Sequence, residues 1–319
     1  MSSLEIRPGH LSLPDSGEWE YGGYPYGLEP LTLPPAPPAA DRVPRPDSAP
    51  ALREWRSRPP EFHPAGVPPE ITVDPRDPLG VDRLFWFRWI TGHQVTFVLW
   101  RLLAAAARGA EQAGGAGPDA RAAERARRYV RGYSLMLLYT SSCPREVYNR
   151  LIRPSLALQH RHLSGSWAQD FHPVRSLLRG RIPAGLDDRT ASLREECRLN
   201  QRVHEGIAAK LVPSGVSLLQ RTAEHEGQRF LHRDLLSSLY DCVFLTVRAP
   251  LAQELVVTQL ARRLHAIRLD LLANGLYPGY ASSSHEESDA LRDPSVARCK
   301  RNLLPELSEL CGTAVASLG

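Results

Sequence analysis

The residue with the clearest chemical possibilities is His93, which lies in the run Trp-Phe-Arg-Trp-Ile-Thr-Gly-His-Gln-Val-Thr-Phe-Val-Leu-Trp at positions 86–100. At about 3.6 residues per turn, a helix through this run gathers Trp86, Trp89, Ile90, Phe97 and Trp100 on the face of His93. Burying an imidazole among apolar rings is costly unless a partner satisfies it. One solution is a core histidine bonded to a backbone carbonyl. The other is a planar aromatic ligand or cofactor, because wide rings pack against wide rings. In that case His93 is a proton carrier, and Trp89 and Phe97 are the candidate ring contacts.

The rest of the chain must position such a site. Beyond residue 80 the hydrophobic period is helical almost throughout, and alternating strand patterns are missing. Asp82 is a candidate cap for a helix from Arg83 to about Arg108, followed by a glycine-rich loop. Asp119 then caps a second helix from Ala120 to about Tyr139. A third begins after Pro144 and bends or ends at Pro154, and a fourth covers about Ser192 to Val212. Two more lie before Pro250 and up to Asn274 and Gly275, where a helix stop is expected. The fold class is all-α, a bundle of five to seven helices.

Residues 1–80 differ from this body. Their proline density is incompatible with helix or central strand, while Trp19, Tyr21, Tyr24 and Tyr26 are more aromatic than ordinary disorder. They are expected to form an extended arm lying on its own domain or on a neighbouring subunit, with residues 81–319 as the helical catalytic domain. A homodimer is a natural expectation on the second alternative.

Composition narrows the function classes. The net charge of +4 is mild and dispersed, and the only lysines are Lys210 and Lys300. The Arg121–Gly132 stretch alternates basic residues with Ala and Glu and reads as a solvated helix face, so no nucleic-acid partner is expected. Five widely spaced cysteines form no CxxC pair, which argues against a zinc ribbon or disulfide framework. Arg88, His93 and Arg101 interrupt the most apolar window, so no membrane span is expected. The first residues lack the pattern of a secretion signal, which predicts a cytoplasmic protein.

The segment DRLFWFRWITGHQVTFVLWRLL (82–103) resembles the signature helix of tryptophan 2,3-dioxygenase and its heme-dependent aromatic oxygenase relatives, through His93, Gln94, Phe97, Leu99 and Trp100. The resemblance implies a helical bundle of that type with a proline-rich N-terminal arm. It also implies that His93 is distal, facing substrate and oxidant rather than binding iron. The segment SGSWAQDFHPVRSLL (164–178) is similar to the family's stretch leading to the arginine that holds the amino-acid carboxylate, which implies that role for Arg175. The axial ligand comes from a later helix, with His204, His225, His232 and His265 as candidates. The stretch RVHEGIAAKLVPSGVSLLQ resembles the ligand helix and its closing loop, so His204 is favoured, with His232 next, and Ser214 is assigned to substrate.

Within that superfamily the chain looks most like the histidine-ligated L-tyrosine hydroxylases that make 3,4-dihydroxyphenylalanine for antibiotic precursors. A sister branch acting on 3-methyltyrosine attaches its heme through a His-x-x-x-Cys motif, which this sequence lacks. The resemblance therefore implies a non-covalent heme b, with L-tyrosine and hydrogen peroxide as small-molecule partners. The alternatives are an indole or tryptophan-type heme dioxygenase and a non-catalytic helical heme-binding sensor.

Overall fold

Proline at position 78 begins the longest helix, because its fixed φ suits a first turn and its missing N–H is not needed there. In the computed structural model, which describes residues 18–35, 69–112, 119–161, 163–186, 192–212, 233–278 and 287–318, α1 runs Pro78–Gln112 and α2 runs Ala120–Thr140. The short α3 (Arg145–Val147) and α4 (Arg153–Gln159) flank a π-helical turn at Tyr148–Ile152. They are followed by α5 (Arg175–Leu178), α6 (Ser192–Leu211), α7 (Arg233–Val243) and α8 (Gln253–Asn274). The described chain ends in α9 (Asp289–Arg292), α10 (Pro294–Arg301) and α11 (Leu303–Ala316). The protein is all-α in character, and no described helix is long and apolar enough to cross a membrane.

Several expected boundaries move for identifiable reasons. Helix α1 starts at Pro78, with the Asp77 carboxylate accepting from the Leu79 N–H, so Asp77 and not Asp82 serves its N-terminus. Asp82 lies inside the helix and pairs with Arg150. Asp119 caps α2 as expected, accepting from the N–H groups of Arg121 and Ala122. Pro154 does not end its helix. The preceding turn widens to π geometry, a local widening of the kind that lets a helix absorb an inserted constraint.

One small sheet departs from the all-helical expectation. Strands β1 (Leu31–Leu33) and β2 (Thr246–Arg248) pair in parallel, with Leu31 opposite Thr246 and Leu33 opposite Arg248. Three-residue strands are too short to show alternation in sequence. Leu31 and Leu33 have no exposed surface and belong to the main core. Upstream, Tyr21 and Tyr26 are buried, and Trp19 meets the Phe87 ring edge-on at 5.3 Å. Residues 18–35 therefore dock on their own chain.

Helix α1 runs through the centre, packed on α2 and α8, while α2 also packs on α6 and α11. Its buried cation, Arg88, donates from Nε at 2.8 Å and Nη2 at 3.0 Å to Asp270 on α8, with neither side chain exposed. The remaining guanidinium donors reach Ser142 Oγ and the carbonyls of Gly275 and Leu276. Asp270 also accepts from the Tyr139 hydroxyl and Asn274. Removing one partner strands a buried charge. Asp270→Ala is accordingly expected to lower unfolding free energy by about 3–5 kcal/mol in chemical denaturation, whereas a loss under about 1 kcal/mol would show that Arg88 finds other partners.

Candidate active site

Four helices turn one face each toward a cavity of about 380 Å3. Trp89, His93, Thr96 and Trp100 face it from α1, at the i, i+4, i+7, i+11 spacing of one helical stripe. Helix α2 contributes Tyr133, Met136, Leu137 and Thr140, α6 contributes His204, Ile207, Ala208 and Leu211, and α7 contributes Tyr240, with Phe244 just beyond its end. Tyr148, Arg153, Leu156, Leu163, Ser164 and Gly165 complete the wall. Gly92 makes the α1–α2 approach possible, because a Cβ there would lie 2.4 Å from Thr140 Cγ2. The residue before His93 is thus small because a cavity-lining helix crosses against it.

His93 is held in one tautomer. Its Nδ1 lies 2.6 Å from the Trp89 carbonyl oxygen, which can only accept, so Nδ1 carries the proton. The Nε2 lone pair is left without a partner among the described residues. The ring stacks on Phe244 (centroids 4.5 Å apart, planes 19° apart) and meets Trp89 at a tilt (4.6 Å, 45°). Desolvation lowers its pKa to about 4, against a smaller opposing effect of the Trp89 hydrogen bond. His93 is consequently a neutral proton acceptor at physiological pH.

His204 lines the same cavity from α6. Its side chain is largely exposed by area, yet crowding by its surroundings still lowers its pKa through desolvation, with Glu205 opposing. A neutral imidazole is the form that binds a metal. The neighbouring small residues serve different purposes. Ala208 lines the cavity, whereas Gly206 packs against Leu291, whose Cγ would lie 2.8 Å from an added Cβ. Of the other candidate ligands, His265 does not line the cavity, and His225 and His232 lie outside the described residues.

The structure brings Trp89, His93 and His204 together but separates other expected site residues. Phe97 is buried behind the wall, meeting Tyr240 at 5.8 Å and Phe244 at 5.5 Å, so it supports the lining rings without forming part of the surface. Arg175 is exposed at the start of α5 and does not line the cavity. The chain from Ser164 passes through two 3-10 segments, Gly165–Trp167 and Gln169–Val174, which carry Arg175 outward. Arg153 is the cavity's charged residue among those described, and sequence reasoning missed it. Ser214 lies outside the described residues; Ser164 is in the wall.

Gln94, next to His93, points away from the cavity and acts as a clamp. Its Nε2 donates to the carbonyls of Glu29 (3.0 Å) and Phe244 (2.9 Å), and its Oε1 accepts from Arg263 Nε (2.9 Å). Arg263, fully buried, also donates to the carbonyls of Glu29, Pro30 and Gln259. The ring stacked on His93 and the docked N-terminal segment are therefore tied to one amide side chain.

Residues 33–197, just over half of the chain, match the family described as SfmD 3-methyl-L-tyrosine peroxygenase. The chain belongs to this peroxygenase family, which carries the name of the 3-methyltyrosine branch rather than of the L-tyrosine branch the sequence resembles, although the chain lacks the His-x-x-x-Cys motif expected of that branch. It is therefore an enzyme of the oxidoreductase class, and the matched stretch carries His93, Tyr133 and Arg153 but ends before His204. No curated protein matches the chain.

The depressed His93 pKa has a measurable consequence for this peroxygenase-family chain. Because its folded value of about 4 lies below the ordinary 6.5, the unfolded state takes up the proton first as pH falls. The associated stability is present above pH 6.5 and is lost progressively toward pH 4. In denaturant titrations across that window, His93→Gln is expected to show a shallower decline than the parent, and parallel declines would contradict the assignment.

Proposed function

We propose that this cavity would hold a non-covalent heme b, with His204 as the residue that would bind its iron, and that the enzyme hydroxylates L-tyrosine to 3,4-dihydroxyphenylalanine with hydrogen peroxide, in antibiotic precursor biosynthesis. The observation that carries this reading is the placement of two imidazoles on one largely apolar cavity, His93 desolvated with a free Nε2 and His204 at the wall with a lowered pKa. The donor set fits a porphyrin. Heme brings the four nitrogen ligands of its porphyrin, so a single protein imidazole such as His204 would suffice to hold its iron here. The aromatic lining suits a wide ring, and the absence of His-x-x-x-Cys favours non-covalent attachment. The tryptophan 2,3-dioxygenase-like arrangement belongs to the same reading.

The bound heme would supply the activation of peroxide and the transfer of one oxygen atom to the ring. The chain's residues have separable tasks around it. His204 would hold the iron from α6. His93 Nε2 would accept a proton from peroxide or from the phenol and return it as the reaction proceeds, and its neutral state leaves it ready to do so. Trp89 and Phe244 keep the imidazole plane fixed and exclude water. Arg153 replaces Arg175 as the guanidinium proposed for the substrate carboxylate, since it is the arginine on the cavity wall.

Turnover of L-tyrosine with peroxide by the heme-loaded protein tests the reaction. His93→Ala is expected to retain heme while losing roughly a hundredfold to ten-thousandfold in rate; unimpaired turnover would remove its proton-transfer role. Arg153→Ala is expected to raise KM several-fold and Arg175→Ala to leave it unchanged, and the reverse pattern would return the carboxylate to Arg175. Ring opening of an indole substrate with dioxygen would instead favour dioxygenase chemistry.

A further inference from the structure

Two phenols on the cavity wall are not used by the mechanism above. Tyr240 on α7 is only 4% exposed and lines the cavity, and its hydroxyl hydrogen-bonds to no described residue. That hydroxyl lies 3.6 Å from the point a Cβ on Gly165, another wall residue, would occupy. Tyr133 on α2, also on the wall, has no hydrogen-bond partner among the described residues either. The two are close enough for charge on Tyr133 to raise the Tyr240 pKa, and desolvation raises both. Each phenol therefore stays protonated and able to donate. Neither hydroxyl is a fully buried unsatisfied atom, so each opens onto the cavity, where water or a bound group can accept its hydrogen bond.

The surroundings say what that group is. Tyr240 meets Phe244 at 4.8 Å, and Tyr133 meets Trp100 edge-on at 5.2 Å, so the hydroxyls sit among rings suited to an aromatic ligand. Phe244 in turn stacks on His93. A second run of ring contacts leads from His93 through Trp89 to Tyr148, where the Arg153 charge is felt. The cation thus sits at the Trp89–Tyr148 branch of the rings around His93, and the two neutral hydroxyls at the branch that runs through Phe244. A carboxylate prefers the cation, which leaves the hydroxyls for an uncharged oxygen.

We propose that Tyr133 and Tyr240 form the specificity pair of the cavity, hydrogen-bonding the phenolic oxygen of the substrate and selecting a hydroxylated aromatic amino acid over its ring-unsubstituted counterpart. This rests on the amino-acid reading of the cavity given above. A site that bonds a ligand hydroxyl discriminates strongly against the analogue without it, because its own polar groups are then stranded.

The test is calorimetric binding of L-tyrosine and L-phenylalanine to the full-length, heme-loaded protein, to Tyr240→Phe, to Tyr133→Phe and to the double variant. Each substitution deletes one oxygen without changing ring volume, and retained phenylalanine binding reports an intact cavity. The parent is expected to prefer tyrosine. Each single variant should lose roughly three- to tenfold of that preference through weaker tyrosine binding, and the double variant should lose more. A preference unchanged in Tyr133→Phe and in Tyr240→Phe overturns the specificity pair while leaving the amino-acid reading in place. A parent protein that binds neither amino acid overturns both.

Discussion

The hydrogen bond from His93 Nδ1 to the Trp89 carbonyl, one helical turn back, is the constraint on which the rest of the site depends. It consumes the donor side of the imidazole within α1 and leaves the acceptor side on the cavity. Without it either tautomer could form, and the ring could turn about its side-chain bonds. Stacking on Phe244 and the tilted contact with Trp89 then hold the plane. Desolvation by the same rings keeps the group neutral, so one piece of packing sets both orientation and protonation state.

That arrangement reaches into the N-terminal segment. Phe244 is anchored by its carbonyl to Gln94, and Gln94 is anchored to Glu29 and Arg263. Strand β1 pairs with β2 just past Phe244. Residues 18–35 consequently behave as part of the scaffold around the site. The buried cations follow a consistent pattern: Arg88 meets a carboxylate and carbonyls, Arg263 meets carbonyls and an amide, and Lys210 donates to the carbonyls of Ser141 and Cys143. They join helix ends and loops, which is structural work, and leave Arg153 as the charge at the cavity.

Much of this was legible in the chain and some was not, for physical reasons. Helical periodicity located the main helices, and the aromatic belt identified α1 as the site helix. Which stripe of α1 faces the cavity was only partly readable. The helix is buried on nearly every side, so Ile90 and Phe97 are as apolar as Trp89 and Trp100 while facing the core. His204 stood out by its sequence surroundings, although Gly206, one of the small residues singled out there, serves helix packing. Arg175 falls off the cavity wall because distance along a chain does not report the direction of two intervening 3-10 turns. Arg153, Tyr133 and Tyr240 carry no local motif. They come together because α2, α4 and α7 meet at one cavity, which is a tertiary fact.

The proposal of a His204-ligated heme is tested most directly by titrating heme into the purified protein and into His204→Gly, following the Soret band, and then adding imidazole. The account predicts tight binding by the parent, strongly weakened binding by His204→Gly, and restoration of the parental spectrum when free imidazole fills the space of the lost side chain. A His204→Gly protein that binds heme with parental affinity and an unchanged spectrum, indifferent to imidazole, would contradict it.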